Sequence, residues 1–233
     1  MALKPLRKSQ SGSLPVLSTP IPAGVSLGER AYYILRDKVV SLLMPPGSVV
    51  REDLLMSELN MSRTPIREAL LRLTREGLIE TLPRRGTFVT EVNVGDLGQL
   101  YELRRELEVM AAGFAAERAK PSNHPAIDSL LDELETVSDQ AEEDARNLVA
   151  IDRKTHQLIY ELAGNRLLPD LLSSYYYRAI RIWFVASSRV TMAEPVGSLP
   201  ELLRAIKRND VERAKKYARA HSELAEATIR SAL

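Results

Sequence analysis

Apolar residues in the first ninety positions recur every three or four residues, which is the period of an amphipathic helix. The repeat over 27–43 uses Leu27, Ala31, Leu35, Val39 and Leu42. MPPGS, at 44–48, ends that helix because proline cannot continue it. A short helix over 51–59, a tight connection at 60–61 and a helix over 62–77 are predicted next. Ser62 is a favourable N-cap residue, and Pro65 stands in the first turn, where a missing N–H costs nothing.

Two short strands follow these helices. Residues 78–82 and 87–92 have strand-like composition, and PRRG between them is typical of a hairpin turn. Three helices followed by a small hairpin with a basic tip is the order of elements in a winged helix-turn-helix. We therefore predict such a domain over 27–92.

The second half of the chain keeps the helical period to its end. The first helix, over 96–118, has an apolar stripe that we expect to be buried: Leu100, Leu103, Leu107, Met110 and Phe114. Further helices are predicted over 127–141, 145–163, 167–187, 199–208 and 211–231, with loops at 119–125 and 192–200. The predicted fold is mainly α: the winged helix-turn-helix plus an all-helical antiparallel bundle over 96–233. Residues 1–26, rich in Ser and Pro, are expected to form a disordered tail.

Composition adds a modest charge asymmetry. Residues 1–90 carry 13 Lys and Arg against 8 Asp and Glu, whereas residues 91–233 carry 19 against 23. Such a difference suggests different partners for the two halves. The absence of cysteine excludes disulfides and thiolate chemistry and fits a cytoplasmic location. The sequence has no sustained apolar segment, so we expect neither a secretory signal nor a membrane helix.

The segment SRTPIREALLRLTREGLIE, residues 62–80, has the properties of a DNA recognition helix. With its apolar positions toward the core, Arg63, Thr64 and Arg67 are exposed at the helix start, where recognition helices contact base edges. Arg84 and Arg85 at the hairpin tip can reach a groove or the phosphate backbone. A solvated basic face is the alternative for one isolated helix. The short helix, tight turn, capped helix and basic hairpin in sequence favour DNA binding.

The sequence PPGSVVREDLLMSELNMSRTPIREALLRLTREGLIETLPRRGTFV, residues 45–89, resembles the N-terminal signature of the GntR family of regulators. Met61 replaces a more usual Val, which is conservative. The resemblance implies DNA contacts from this helix and from the wing glycine, and a symmetric homodimer on a short palindromic operator. The candidate DNA-binding residues are Ser62, Arg63, Thr64, Arg67, Arg84, Arg85 and Gly86.

Polar residues interrupt two of the predicted apolar helix faces in the bundle. Asp152 and His156 are four residues apart and fall within the apolar arc of their helix. His221 stands in the middle of the apolar stripe of the last helix. A carboxylate in such a position is costly unless it is paired or bound to a metal. Imidazole and carboxylate ligands suit zinc, nickel or manganese.

LYELRRELEVMAAGFAAE (100–117) and the D…H…LAGNRLL pattern (152–168) resemble the FCD effector domain of the fatty-acid-regulator subgroup. That resemblance implies a divalent metal held by one Asp and three His. Asp152, His156 and His221 match three of these positions, whereas Leu199 stands where the other His is expected. Three outcomes stay open: a metal held by three residues plus water or a carboxylate effector, a purely organic ligand, or a structural network.

The same resemblance places Arg104 on the wall of the effector pocket, where it could pair with a carboxylate. A salt bridge to a nearby acidic residue is the alternative for Arg104. Asn165 matches the effector domain and is a candidate effector contact, although it could only cap a helix turn. The expected mechanism is a repressor that a small carboxylate releases from double-stranded DNA.

Two other classes of function compete with a regulator. A metal hydrolase could use Asp152, His156 and His221, but no HExxH motif, nucleophile elbow or phosphate loop is present. A winged helix that binds only proteins would leave the exposed arginines unexplained. We therefore predict a transcription regulator rather than an enzyme.

Overall fold

The computed structural model describes residues 21–138, 145–187 and 189–233. Residues 1–20 of the tail predicted over 1–26, and the end of the helix predicted over 127–141, lie outside the described residues. Within the described ranges the molecule is mainly helical, with one two-stranded sheet. Its elements are α1 (Leu27–Val40), α2 (Glu52–Leu59), α3 (Arg63–Arg75), β1 (Ile79–Leu82), β2 (Gly86–Val89), α4 (Leu97–Arg118), α5 (His124–Ser138), α6 (Ala145–Leu162), α7 (Leu168–Ala186), α8 (Ala193–Gly197), α9 (Leu199–Lys207) and α10 (Val211–Arg230).

The first three helices and the hairpin form the predicted winged helix-turn-helix. Asn60 ends α2 in the left-handed conformation, which a short polar residue tolerates, and Ser62 occupies the N-cap position of α3 without a side-chain hydrogen bond. The strands are antiparallel, with Ile79 opposite Val89. The tight turn between them has positive φ at Arg84 (62°) and Gly86 (107°). Glycine suits the second of these positions because it has no Cβ.

The bundle is organised around α4, which packs on α10 over most of its length and also contacts α6, α7 and α9. The prediction of a loop over 192–200 is wrong at 193–197, and at 199–200 the overlapping prediction of a helix over 199–208 is the one confirmed. The segment forms the short helix α8 and the first turn of α9, with Pro195 and Pro200 in their first turns. Proline is compatible with a first turn because that turn's N–H groups have no helical partner. Similarly, α5 begins at His124, inside the predicted 119–125 loop.

The buried face of α4 differs from the predicted one. Leu103 is 44% exposed and Met110 36% exposed, whereas Arg104 and Glu108 are buried. The inward face is otherwise made largely of alanines and Tyr101. Because most of these residues are small, α10 packs closely on α4. The two charged side chains point into the bundle, where they contact polar partners.

Helix α7 joins the bundle to the winged helix-turn-helix. Arg178 donates to Glu76 O at the C-terminal end of α3, through Nε and Nη2 at 3.3 and 3.1 Å. Arg181 donates to Thr90 Oγ1 and Thr90 O, just after β2, at 2.8 and 2.6 Å. The buried apolar residues of both parts form one continuous cluster, so the two parts pack against each other directly.

Candidate DNA-binding surface and buried polar cluster

The N-terminal turn of α3 presents a polar, accessible surface. The side chains of Arg63 and Arg67 are 61% and 62% exposed, and Thr64 is exposed between them. Glu52 of α2 pairs with Arg67 (Nε to Oε2, 3.0 Å) and lies 3.8 Å from Arg63 Nε. The buried side of the same helix includes Ile66. The helix is therefore amphipathic in the predicted sense, with its two arginines held by one carboxylate.

The hairpin tip carries the remaining predicted DNA contacts. Arg84, Arg85 and Gly86 are exposed. The backbone N–H of Arg85 donates to Leu82 O at 3.1 Å, which closes the turn. Both arginine side chains are consequently presented at the end of a short, hydrogen-bonded hairpin.

The three predicted metal ligands meet inside the bundle. Asp152 and His156 come from α6 and His221 from α10, and each is at most 2% exposed. His156 Nε2 and His221 Nε2 are 3.2 Å apart, and Asp152 Oδ1 lies 3.7 and 3.8 Å from these two nitrogens. Ligand atoms about 2.1 Å from a tetrahedral zinc would lie roughly 3.4 Å apart. The triangle thus has dimensions close to those of a metal site.

The outer nitrogens of both imidazoles have their own partners. His156 Nδ1 is 3.3 Å from Glu108 Oε2, and His221 Nδ1 is 3.1 Å from Pro195 O and 2.9 Å from Ser198 Oγ. Acceptors at Nδ1 favour a proton there and leave Nε2 as the accepting atom, as in histidines that bind metals. The Nε2 of His156 also lies 3.3 Å from Arg104 Nη2. Burial and the neighbouring His156 lower the pKa of His221 to about 4, so this imidazole is neutral at pH 7.

The interior of this triangle lacks a donor for one of its acceptors. Asp152 Oδ1 has no hydrogen-bond partner among the described residues, although Tyr176 donates to Asp152 Oδ2 at 2.8 Å. A buried carboxylate oxygen without a partner is costly. The two Nε2 atoms and this oxygen lie within 4.8 Å of one another, and a divalent cation among them would satisfy all three. The donor set therefore fits a metal with three protein ligands.

Arg104 borders the same cluster. Its Nη2 lies 3.3 Å from His156 Nε2, its Nε donates to Glu108 Oε1 at 3.2 Å, and its Nη1 donates to Tyr101 Oη at 3.3 Å. Burial acts to raise the pKa of Glu108, but His156 and Arg104 outweigh it and hold that pKa at about 2. Arg104 therefore forms the salt bridge considered from the sequence and lies beside the three-residue cluster, and its pairing with an effector carboxylate stays a prediction.

Two other predicted positions do not join the cluster. Leu199 is fully buried at the start of α9, and its neighbour Ser198 reaches the outer side of His221 instead of the triangle. Asn165 accepts a hydrogen bond from Leu167 N at 3.1 Å, which is a turn-capping contact. None of the described hydrogen bonds of Asn165 connects it to Arg104.

Sequence reasoning missed several residues that support the cluster. Glu108 follows Arg104 by four positions, a spacing that places two side chains on one helix face and would have identified the pair. Tyr160 follows His156 by the same interval, whereas Ser198 and Tyr176 carried no such signal. Tyr160 donates to Glu108 Oε1 at 2.5 Å from a different helix. Contacts of this kind depend on how the helices pack.

An exposed basic recognition helix in a winged helix-turn-helix, joined to a helical bundle, defines a DNA-binding transcription regulator. The chain belongs to the GntR family: the model for bacterial regulatory proteins of the gntR family matches residues 27–89, and the FCD domain model matches residues 99–224. The predicted family, the predicted fold class and the prediction of a regulator instead of an enzyme are confirmed.

Similar proteins are themselves regulators. The chain is 28% identical to the transcriptional regulator YdhC of Bacillus subtilis over 141 residues, which are 60% of this chain and 62% of that protein. It is 27% identical to McbR of Escherichia coli over 172 residues, covering 72% of this chain and 77% of the relative. The solved structure of E. coli McbR/YncC has the same fold, with a TM-score of 0.77, 24% identity, and coverage of 89% and 98%.

No helix in the described part of the chain is both long enough and apolar enough to span a membrane.

Proposed function

We propose that this regulator is a cytoplasmic homodimer that represses transcription from a palindromic operator and is controlled by a small carboxylate bound in its FCD domain. The observation that carries this proposal is the meeting of three buried acceptors with Arg104 inside the bundle. Such a constellation has no role in DNA contact, and its unpaired carboxylate oxygen points to a ligand.

The cluster supports a divalent metal, with zinc, nickel or manganese as the candidates. Asp152, His156 and His221 would hold the ion, and Leu199 removes the fourth protein ligand that the family resemblance implied. When bound, the cation supplies a Lewis-acidic centre with a coordination position for water or a carboxylate. A purely structural network is less well supported, because it leaves Asp152 Oδ1 without a donor. A purely organic ligand would need a donor of its own at that oxygen.

Arg104 is the residue best placed to orient a carboxylate effector. Its guanidinium is buried beside His156 and is held in position by Glu108 and Tyr101. Burial acts to lower the pKa of Arg104, but nearby Tyr101 and Glu108 outweigh it and raise that pKa above its ordinary value. Arg104 therefore stays charged. A fixed positive charge in an apolar bundle strengthens pairing with an anion. Asn165 is a weaker candidate because Leu167 N already uses its side-chain oxygen.

DNA binding is proposed to use the start of α3 and the hairpin tip. Arg63, Thr64 and Arg67 would contact base edges and phosphates in the major groove, and the N–H groups after Ser62 would attract a phosphate. Arg84 and Arg85 would contact the backbone or the minor groove, with Gly86 allowing close approach. Exposure of all these side chains supports the assignment.

A homodimer is supported by the outward face of α4. Met110 is 36% exposed there and Leu107 is partly exposed one turn earlier, so an apolar strip faces solvent in the single chain. A second copy can cover such a strip by two-fold symmetry, and two recognition helices would then read a palindrome. Sedimentation of the wild type against Met110→Glu would measure this: a dimer is expected only for the wild type.

The operator itself can be found directly. Purified protein is incubated with sheared genomic DNA, and the retained fragments are sequenced, with Arg63→Ala as the control. A single enriched palindrome, absent from the control, is expected for a sequence-specific regulator. Equal enrichment by the variant would contradict the assignment of the recognition helix. Repression is then tested by transcription in vitro from the recovered site, with and without carboxylates.

A further inference from the structure

A cleft of about 460 Å³ lies between the winged helix-turn-helix and the bundle, apart from the buried cluster. Its walls come from the end of α3, the segment after β2, the N-terminal half of α4, and α7. A volume of this size accommodates a small organic molecule. The cleft is therefore a candidate binding site that contacts both parts of the protein at once.

Two arginines of α7 line the cleft. Arg181 is 3% exposed, and its Nε has no hydrogen-bond partner among the described residues. No neighbouring acidic group in the described part of the chain fully compensates the charge of Arg181. Burial lowers its pKa to about 10, Glu91 opposes this shift, and Arg178 adds to it. Arg178 is exposed and uses Nε and Nη2 on one backbone carbonyl oxygen, Glu76 O.

The acidic side chains that line the cleft are Glu91 and Asp96. Asp96 accepts a hydrogen bond from Asn93 Nδ2 at 2.9 Å, which uses one of its oxygens. Glu91 is exposed to solvent, where water screens its charge, whereas Arg181 is buried. The buried end of the cleft is consequently positive in spite of the two carboxylates near its mouth.

Part of the remaining wall of the cleft is apolar. Leu100 and Leu103 of α4 lie across from Ile182 of α7, with the ring of Tyr175 beside them. An inorganic anion would leave this surface unused. A carboxylate with a compact apolar body would place its charge on the arginines and its body against these side chains.

We propose that this inter-domain cleft binds a small apolar monocarboxylate, with its carboxylate on Arg178 and Arg181. The site is separate from the effector site proposed in the bundle and does not depend on it. Arg181 also holds Thr90, which donates to Gly77 O or Leu78 O at the end of the recognition helix. A carboxylate in the cleft competes with Thr90 for Arg181 and thereby acts on the junction between the two domains.

The test is calorimetric titration of the full-length protein with benzoate, with benzamide as the uncharged probe of the same shape. Saturable binding of benzoate in the millimolar range or tighter is expected, with benzamide at least about tenfold weaker. Arg178→Gln and Gln99→Glu change exposed residues on the cleft wall and should each weaken benzoate about tenfold. Arg213→Gln removes one exposed charge far along the chain and should leave binding unchanged.

Asp152→Asn and His221→Ala separate the two sites. Benzoate binding to the cleft persists in both variants if the proposal is correct. Loss of binding in these variants, with no effect of Arg178→Gln or Gln99→Glu, would place benzoate in the bundle and overturn the cleft site. Absence of saturable binding to the wild type at about 10 mM, or equal affinity for benzamide, would overturn it as well.

Discussion

Tyr176 and Tyr177 are adjacent in α7 and contact two different parts of the molecule. Tyr176 Oη donates to Asp152 Oδ2 in the buried cluster at 2.8 Å. The Tyr177 ring lies under the guanidinium of Arg36 in α1, whose Cζ is 4.5 Å from the ring centroid. Arg178, the next residue, and Arg181, one turn after Tyr177, donate hydrogen bonds to the end of the winged helix-turn-helix. Helix α7 thus contacts both the cluster and the DNA-binding domain.

If α7 transmits ligand occupancy, Tyr176→Phe should weaken that coupling. The variant loses the hydrogen bond to Asp152, at a cost of about 1–2 kcal/mol in stability, and keeps the ring packing. The factor by which Zn²⁺ or a carboxylate changes operator affinity should fall by up to about tenfold, while affinity without ligand changes little. Fluorescence anisotropy measures both quantities. Tyr175→Phe, on the same helix, is the control, and an equal effect of that change would contradict the role of Tyr176.

Metal binding at the cluster should raise thermal stability. A cation at about one hundred times its Kd stabilises the folded chain by about 2.7 kcal/mol, and Tm rises accordingly. Zn²⁺ is expected to raise the Tm of the wild type, and elemental analysis should find one ion per chain. His221→Ala should remove both effects, whereas His124→Ala, at the start of α5, should retain them. Equal Tm shifts in the two variants would favour a structural network.

Arg63→Ala should weaken specific operator binding by roughly five- to 150-fold without unfolding the protein. Its side chain is 61% exposed, so its loss affects the free protein little, whereas a missing base contact costs about 1–3 kcal/mol. Arg75→Ala, at the exposed far end of the same helix, is the matched control. Anisotropy with operator and scrambled duplexes separates the two effects. Unchanged operator affinity in Arg63→Ala would refute the proposed recognition surface.

Glu52→Gln should strengthen binding to any duplex. The Glu52 carboxylate holds Arg67 at 3.0 Å and repels phosphates, so its neutralisation frees an arginine for DNA. Because exposed ion pairs contribute about 0–1 kcal/mol, the expected gain is up to about fivefold at low salt. Glu58→Gln makes the same change in charge on the same helix, where Glu58 pairs with Lys38. An equal gain in that control would show an effect of net charge alone.

Gly77→Ala should destabilise the junction between the domains. Gly77 has φ of 69°, and an added Cβ would lie 2.2 Å from Arg178 Nη2. The backbone conformation alone costs about 1–2 kcal/mol for alanine, and the arginine must also move off Glu76 O. Gly98→Ala, at an ordinary helical position, should change stability by less than about 1 kcal/mol. Chemical denaturation measures both, and similar values for the two variants would contradict this account.

The order of helices and the wing could be predicted because their signals are local. Pro65 in a first turn, the Asn60–Met61 connection and PRRG each act on a few neighbouring residues. The prediction was wrong at Pro195, which stands in the first turn of α8, and it placed Pro200 in both a loop and the helix that is observed. Proline begins a helix in one context and marks a loop in another. The local sequence around these prolines is compatible with a loop and with the start of a helix, and only the packing of α8 and α9 decided between the two.

The ligand triangle was accessible from sequence because helical periodicity places Asp152 and His156 on one face and His221 on another apolar face. By itself the sequence determined the family and the winged helix-turn-helix, and it singled out these three residues as candidate ligands. Only the tertiary structure decided which face of α4 is buried, which residues contact Arg104, and that Arg181 donates hydrogen bonds to Thr90. The physical reason is that periodicity orients a side chain about its own helix axis. Its partners come from remote segments, whose positions are set by packing of the whole chain.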